Sequence, residues 1–234
     1  MKIAFRCPPQ FEGFLPQPVP ARRALPDWLH RMPASVASDY LGGDVPTVKQ
    51  CPPFVDAMSF GFLIPLACDI RVEGGRFDWR WNVPASVIDA FNSRSPLDIH
   101  LPDQVRDTPL FDGSRFILKF NNYWTVELEA GYSLLITHPV NRFDLPFRAL
   151  TGLVDMDLYK DTFTNFPALW VDPAFEGVLA AGTPVVQCFP VPRGALDLEF
   201  GRMSAEEEAR FAKTKTTLYS ESGAYRRHFR ESKN

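Results

Sequence analysis

The chain has 234 residues, of which 45% are hydrophobic and 23% charged, and its formal net charge is −3. These values suit one large domain or one and a half, supply a core and argue against wholesale disorder. They make no general electrostatic case for nucleic acid. The start, MKIAFRCPPQFEGF, lacks a secretory apolar stretch, and no run approaches the ~18–20 apolar residues of a membrane span. The expectation is a cytoplasmic protein with no membrane segment. Its four cysteines, Cys7, Cys51, Cys68 and Cys188, form no C-x-x-C pair and are expected as thiols.

The 22 prolines and 20 phenylalanines set the class. Each proline fixes φ and removes a donor, which disfavours long helices and suits short strands joined by loops. Residues 1–50 read as a Pro-rich N-terminal wrap. It holds a strand at Lys2–Arg6, a helical turn at Asp27–Arg31, apolar anchors Phe11, Phe14, Leu15 and Trp28, and a loop over Ser35–Thr47.

From residue 51 to 200 the texture is that of a β-rich body. CPPFVDAMSFG reads as a short helical turn with Asp56 early in it. Cys51 before it is expected to be a small buried thiol. FLIPLACDIRVE reads as one strand, with Pro65 at a bulge or edge. Gly74-Gly75 turns the chain into RFDWRWN, whose Phe77, Trp79 and Trp81 share one face. A short helix is expected at 85–92. The firmest expectation is a compact run of buried strands over residues 110–193: RFILKFNN, YWTVELE, YSLLITHPV, FRALTGLVDMDLY, FPALWVD, FEGVL and TPVVQCFPVP. Residues 201–234 form a helical tail. Ser204 and Glu207 make a capping-box pattern, and acids precede bases along the helix. From Arg202 onward there are eight Lys/Arg against five Asp/Glu, a local +3, which leaves −6 for the rest. The fold expectation is mainly β: a jelly-roll or β-clip-like body with a Pro-rich N-terminal wrap and a C-terminal helix.

Two resemblances sit on particular residues. VKQCPPFVDAMSFGFLIPL, FNNYW, GYSLLITHPVNRFDLPFR and GTPVVQCFPVPR resemble a bacterial and phage family to which no activity is attached. That likeness covers most of the chain and implies a coherent domain. GLVDMDLY, followed about 25 residues later by GTPVVQCFPVP, resembles the two trailing motifs of the dUTPase and dCTP-deaminase superfamily. Gly152, Asp155 and Tyr159 fall on the first motif, with Tyr159 one residue late, and Gly182 and Gln187 fall on the second. The resemblance implies that Asp155 would orient water and recognise a sugar, and that Gln187 would fix a backbone or phosphate contact. That family's Arg-Ser-Ser segment and its glycine-rich arm are missing here, and HPVNRFD stands roughly in place of the former. The resemblance therefore lends the idea of a β-clip or jelly-roll-like all-β body, of a kind able to trimerise, and no activity.

The polar cluster THPVNRFD follows an apolar strand and concentrates His138, Asn141, Arg142 and Asp144. A strand end is where a sheet presents functional loops. Arg142 could take a carboxylate or phosphate, and His138 could act as base or ligand. The competing reading is an Arg142–Asp144 pair that ties down the loop while His138 caps a backbone group. A metal would recruit His138 with Asp144, or His100 with Asp98. VDMD sets Asp155 and Asp157 on one strand face, for Mg²⁺ or a shared proton or simply for solvent. Asn121, Asn122 and Trp124 in FNNYW form either a turn or a shelf for a ring-bearing ligand.

Three functions follow. The first is a small-molecule binding or processing protein with His138, Asp144 and Asp155 as catalytic candidates and Asn121, Asn122, Trp124, Asn141, Arg142, Asp157 and Gln187 as binding candidates. The second is an Fe(II)-type oxygenase on a cupin-like barrel. The third is a structural or assembly protein that uses its N-terminal arm and C-terminal helix, including as a homo-oligomer. Residue patterns name no cofactor and leave open whether the protein is an enzyme.

Overall fold

The computed structural model describes residues 1–80, 95–110 and 117–231. Trp81, the expected helix at 85–92 and the start of RFILKFNN lie outside the described residues. The chain divides into two units, Met1–Arg193 and Gly194–Asn234.

The first unit is mainly β and carries sixteen strands among the described residues. The N-terminal stretch contributes β1 (Ala4–Arg6), β2 (Val19–Pro20), the helical turn α1 (Asp27–Arg31), β3 (Ser35–Ser38), β4 (Gly43–Pro46) and α2 (Pro52–Ser59). Then come β5 (Phe62–Pro65), β6 (Ile70–Glu73), β7 (Arg76–Trp79), β8 (Leu97–Ile99), β9 (Ile117–Phe120) and β10 (Thr125–Glu127). The remainder are β11 (Tyr132–Thr137), β12 (Phe147–Ala149), β13 (Gly152–Val154), β14 (Phe166–Trp170), β15 (Gly177–Leu179) and β16 (Pro184–Pro192). They pair antiparallel in five sheets, ordered β13-β11-β16-β5-β2, β12-β14-β9-β8, β15-β6-β7, β1-β10 and β3-β4, and no barrel closes among the described residues.

Side chains alternate across a strand, so every second residue enters the core. Phe166, Ala168 and Trp170 of β14, Ile70 and Val72 of β6, and Leu134 and Ile136 of β11 do this and join one cluster with Phe62, Leu118, Phe120, Phe147 and Val186. Each fully buried Leu, Ile or Phe stabilises by about 1.5–3 kcal/mol.

Several segments differ from the sequence expectation for identifiable reasons. FLIPLACDIRVE is two strands, β5 and β6. Proline has no amide to donate, and β5 ends at Pro65, where its register with β16 also shifts. FRALTGLVDMDLY is divided between two sheets: β12 pairs with β14, and β13 pairs with β11. Ser35–Thr47 is a hairpin, β3–β4, rather than a loop, turned through Gly42 at φ +66°. Its tip leaves Tyr40 99% exposed. Cys51 is exposed rather than buried, and all four cysteines are free.

The Gly74-Gly75 hairpin forms as expected, both residues at positive φ, with Glu73 opposite Arg76 and Val72 opposite Phe77. The Pro-rich stretch is built into the first unit through β1, β2 and a small cluster of Phe11, Leu15 and Tyr123. The Trp124 indole N–H fixes it further by donating to the Pro16 carbonyl at 3.1 Å.

The second unit contains α3 (Ala205–Ser220) and α4 (Ala224–His228). Ser204 and Glu207 cap α3 reciprocally: the Ser204 amide donates to Glu207 Oε2 at 2.7 Å, and the Glu207 amide to Ser204 Oγ at 3.3 Å. Gly223, at φ +74°, separates the two helices. No residue of α3 is buried.

Candidate functional site

The loop after β11 carries a dense polar cluster. Its turn closes with the Arg142 amide donating to the Pro139 carbonyl at 3.1 Å. Asn141 sits in the left-handed region at φ +59°, a conformation that asparagine tolerates better than most residues. Arg142 and Asp144 form a forked ion pair, Nε to Oδ1 at 2.8 Å and Nη2 to Oδ2 at 2.9 Å. The Arg142 side chain is only 14% exposed. Burial pushes the Asp144 pKa up, but the Arg142 hydrogen bond and charge, with help from the Trp28 side chain, bring it below its usual value.

His138 is committed to the backbone. The Ala149 N–H donates to Nδ1 at 3.3 Å. That nitrogen therefore keeps its lone pair, and Nε2 carries the hydrogen and donates it to the Arg142 carbonyl at 2.8 Å. Arg148 Nη1 donates to the same carbonyl at 3.0 Å and stands 3.1 Å from Nε2. Burial lowers the His138 pKa, and the Arg148 and Arg142 charges lower it further, against the hydrogen bond to Arg142. The surroundings thus favour the neutral imidazole.

Gln187 closes the cluster from below. It is buried on β16. Its Oε1 accepts the Val140 amide at 3.0 Å, and its Nε2 donates to the Phe60 carbonyl at 2.7 Å and the Ala57 carbonyl at 2.9 Å. One carboxamide therefore ties the loop to the end of α2.

Asp155 and Asp157 lie elsewhere. They are in the turn that follows β13, not on a strand face, and the Asp155 carbonyl accepts the Leu158 and Tyr159 amides. Ser133 Oγ donates to Asp155 Oδ1 at 2.5 Å. Arg193 Nη1 reaches Asp157 Oδ1 at 2.7 Å, the Tyr132 carbonyl at 3.2 Å and Asp155 Oδ1 at 3.3 Å. The Gly131 amide also donates to Asp157. The Arg193 hydrogen bond, followed by that of Gly131, holds the Asp157 carboxyl well below the usual carboxylate range. Ser133 and His138 are separated along β11 by roughly 16 Å, at about 3.3 Å of rise per residue. The two clusters thus occupy opposite ends of one strand, and Asp155 does not join His138.

FNNYW forms a third group. Asn122 Oδ1 accepts the Trp124 amide at 3.0 Å, and its Nδ2 donates to the Trp124 carbonyl at 2.7 Å. Asn121 Nδ2 donates to the Ser95 carbonyl and to Asp98. Trp124 holds the N-terminal stretch. The Asn122 and Trp124 side chains and the Asn121 amide nitrogen thus bond within the protein, whereas Asn121 Oδ1 is buried without a partner among the described residues.

Among the described residues, no three His, Cys, Asp or Glu side chains are grouped to hold a metal ion. Asp98 is 3.3 Å from Lys119, and His100 Nδ1 is 3.1 Å from Gln104. Arg148 and Arg193 organise the two main clusters, yet sequence reasoning singled out neither. Arg148 lies six residues beyond Arg142, but Arg193 meets Asp157 only through the fold. An apolar cleft of about 510 Å³ opens elsewhere, between β1, β2 and the start of β5. No protein-family model and no curated protein matches this chain.

Proposed function

We propose that this protein is an assembly module, a β body that joins other protein chains through its C-terminal unit. The observation that carries this reading is the apolar surface of residues 194–228. Leu196, Leu198 and Phe200 alternate with Asp197 and Glu199, and Leu196 and Phe200 are 89% and 90% exposed. Phe211 and Leu218 are exposed on α3, seven residues apart and so on one helical face.

Magnitudes support a partner. Three large side chains buried at about 1.5–3 kcal/mol each contribute on the order of 5–9 kcal/mol. Association itself costs about 4–15 kcal/mol, so these three side chains offset the lower part of that range, and backbone hydrogen bonds or the helical face add to it. A sixteen-residue helix is marginal alone in water and draws its stability from packing. By contrast, the polar groups that would serve a small molecule spend their hydrogen bonds on backbone and on one another.

The test is the mass of the protein isolated at natural abundance under gentle conditions, with trypsin as a probe of Arg202, Arg210, Lys213 and Lys215. An assembly heavier than the 26.5 kDa chain, with those sites protected until it is dissociated, is expected. A 26.5 kDa monomer with freely cut sites rejects the reading.

A further inference from the structure

We infer that the apolar cleft beside β1 receives the extended segment 195–200 of a second copy of this chain; this rests on the assembly reading above. The cleft is lined by Ile3, Phe5, Val19, Phe60, Phe62 and Pro190 among others. Phe5 packs edge-on against Phe62 at 5.0 Å, and Phe60 stacks on Phe189 at 5.9 Å while remaining 57% exposed. Gly61 also lines the cleft, at a point where a Cβ would overlap the Cys188 carbonyl.

Both flanking strands end their sheets. β1 pairs only with β10, and β2 only with β5, among the described residues. An open sheet edge is a template for an extended segment, whose backbone supplies hydrogen bonds while alternate side chains fill the pocket. Residues 196–200 have the matching pattern, three large apolar side chains on one side of an extended chain.

Charge identifies the occupant. The segment carries Asp197 and Glu199 on its polar side. Lys2 lies between the lining residues Met1 and Ile3, and Arg22 and Arg23 follow the lining Pro20 in the next turn of chain; all three are exposed, and Glu129 accepts the Lys2 amide. Basic residues next in sequence to an apolar floor suit an acidic-apolar strand, and this chain supplies one. Such a contact joins two different surfaces of the same chain, so it either closes as a reciprocal exchange or propagates head to tail.

Light scattering on the purified full-length chain tests this. Wild type is expected at twice the 26.5 kDa chain mass or above. Leu196→Asp/Phe200→Asp and, separately, Phe60→Asp are each expected to weaken association by at least about tenfold with unchanged far-UV circular dichroism spectra. Mixing the two variants is expected to restore a two-chain species, because one good segment meets one good cleft. Wild type that stays at 26.5 kDa up to about 1 mM, or variants that keep the wild-type mass, overturn the inference. If the purified chain is monomeric while the natively isolated assembly contains another protein on the same segment, the homotypic contact fails and the assembly reading stands.

Discussion

The side-chain oxygen of Gln187 accepts the Val140 amide at 3.0 Å, from a position buried on β16. Its other end donates to the Ala57 and Phe60 carbonyls. A single residue therefore sets the height of the 138–144 loop relative to α2.

Gln187→Leu strands the Val140 N–H and removes the donor from two carbonyls. A buried unsatisfied group costs about 1–3 kcal/mol, so a loss of about 3 kcal/mol or more in urea denaturation is expected. Gln187→Glu keeps the shape and one acceptor but, once ionised, turns an oxygen toward the two carbonyls. Its loss should grow between about pH 5 and pH 8, as the carboxyl ionises. A pH-independent effect equal to that of the Leu variant would mean that the carboxamide is not positioned as described.

His138 makes stability fall in weak acid. Its folded pKa lies below the unfolded value of 6.5, so the unfolded chain takes the proton first. Its contribution is fully present above about pH 6.5 and is lost as the pH falls through the window between the unfolded and folded values. His138→Phe should cost about 1–3 kcal/mol at neutral pH, through the orphaned Ala149 amide, and should show a flatter profile in that window. Urea midpoints of the two proteins from about pH 7.5 to pH 5 decide the point: parallel curves would refute it.

Arg193 has the opposite chemistry. It holds Asp157 below the carboxylate range, so the Asp157 contribution is present above the unfolded value of about 3.8 and is lost as pH falls through the folded one. In Arg193→Ala, stability should change less with pH below about 4, and near-neutral stability should drop. Acid titration followed by far-UV circular dichroism reads both effects. An unaltered acid limb would show that the pair is not coupled to folding.

Gly61→Ala meets two obstacles, φ +74° and the Cys188 carbonyl. A loss of about 2–4 kcal/mol is expected. Gly182→Ala is the control. It shares a positive φ, +87°, but has open space around it, so it should cost only about 1–2 kcal/mol. Equal melting shifts would remove steric overlap as the cause.

The β framework was legible because apolar alternation is a local signal. Leu134 and Ile136, or Phe166, Ala168 and Trp170, declare their faces within one strand. Sheet membership was not legible. FRALTGLVDMDLY is one apolar stretch whichever sheet it enters, and only the fold divides it after Ala149. The β3–β4 hairpin was hidden because SVAS and GDVP bury almost nothing and so show no inward face. At the polar loop, the Arg142–Asp144 pair could be foreseen from a two-residue spacing. The partners that settle the chemistry, Gln187 and Arg148 on other strands, come from pairings that no local pattern encodes. The same holds for Trp28, whose side chain reaches Asp144 from the N-terminal stretch.

The second unit leaves the first through Arg193, directly after the nine-residue β16, which lies between β11 and β5. A tug on residues 194–234 therefore arrives first at the Arg193–Asp157 clasp and then runs lengthwise along β16. Strands loaded lengthwise between two neighbours resist as a set, since their cross-strand bonds must rupture together rather than peel one at a time. The tether would thus be anchored in shear, with the body at its toughest where an attached load would pull.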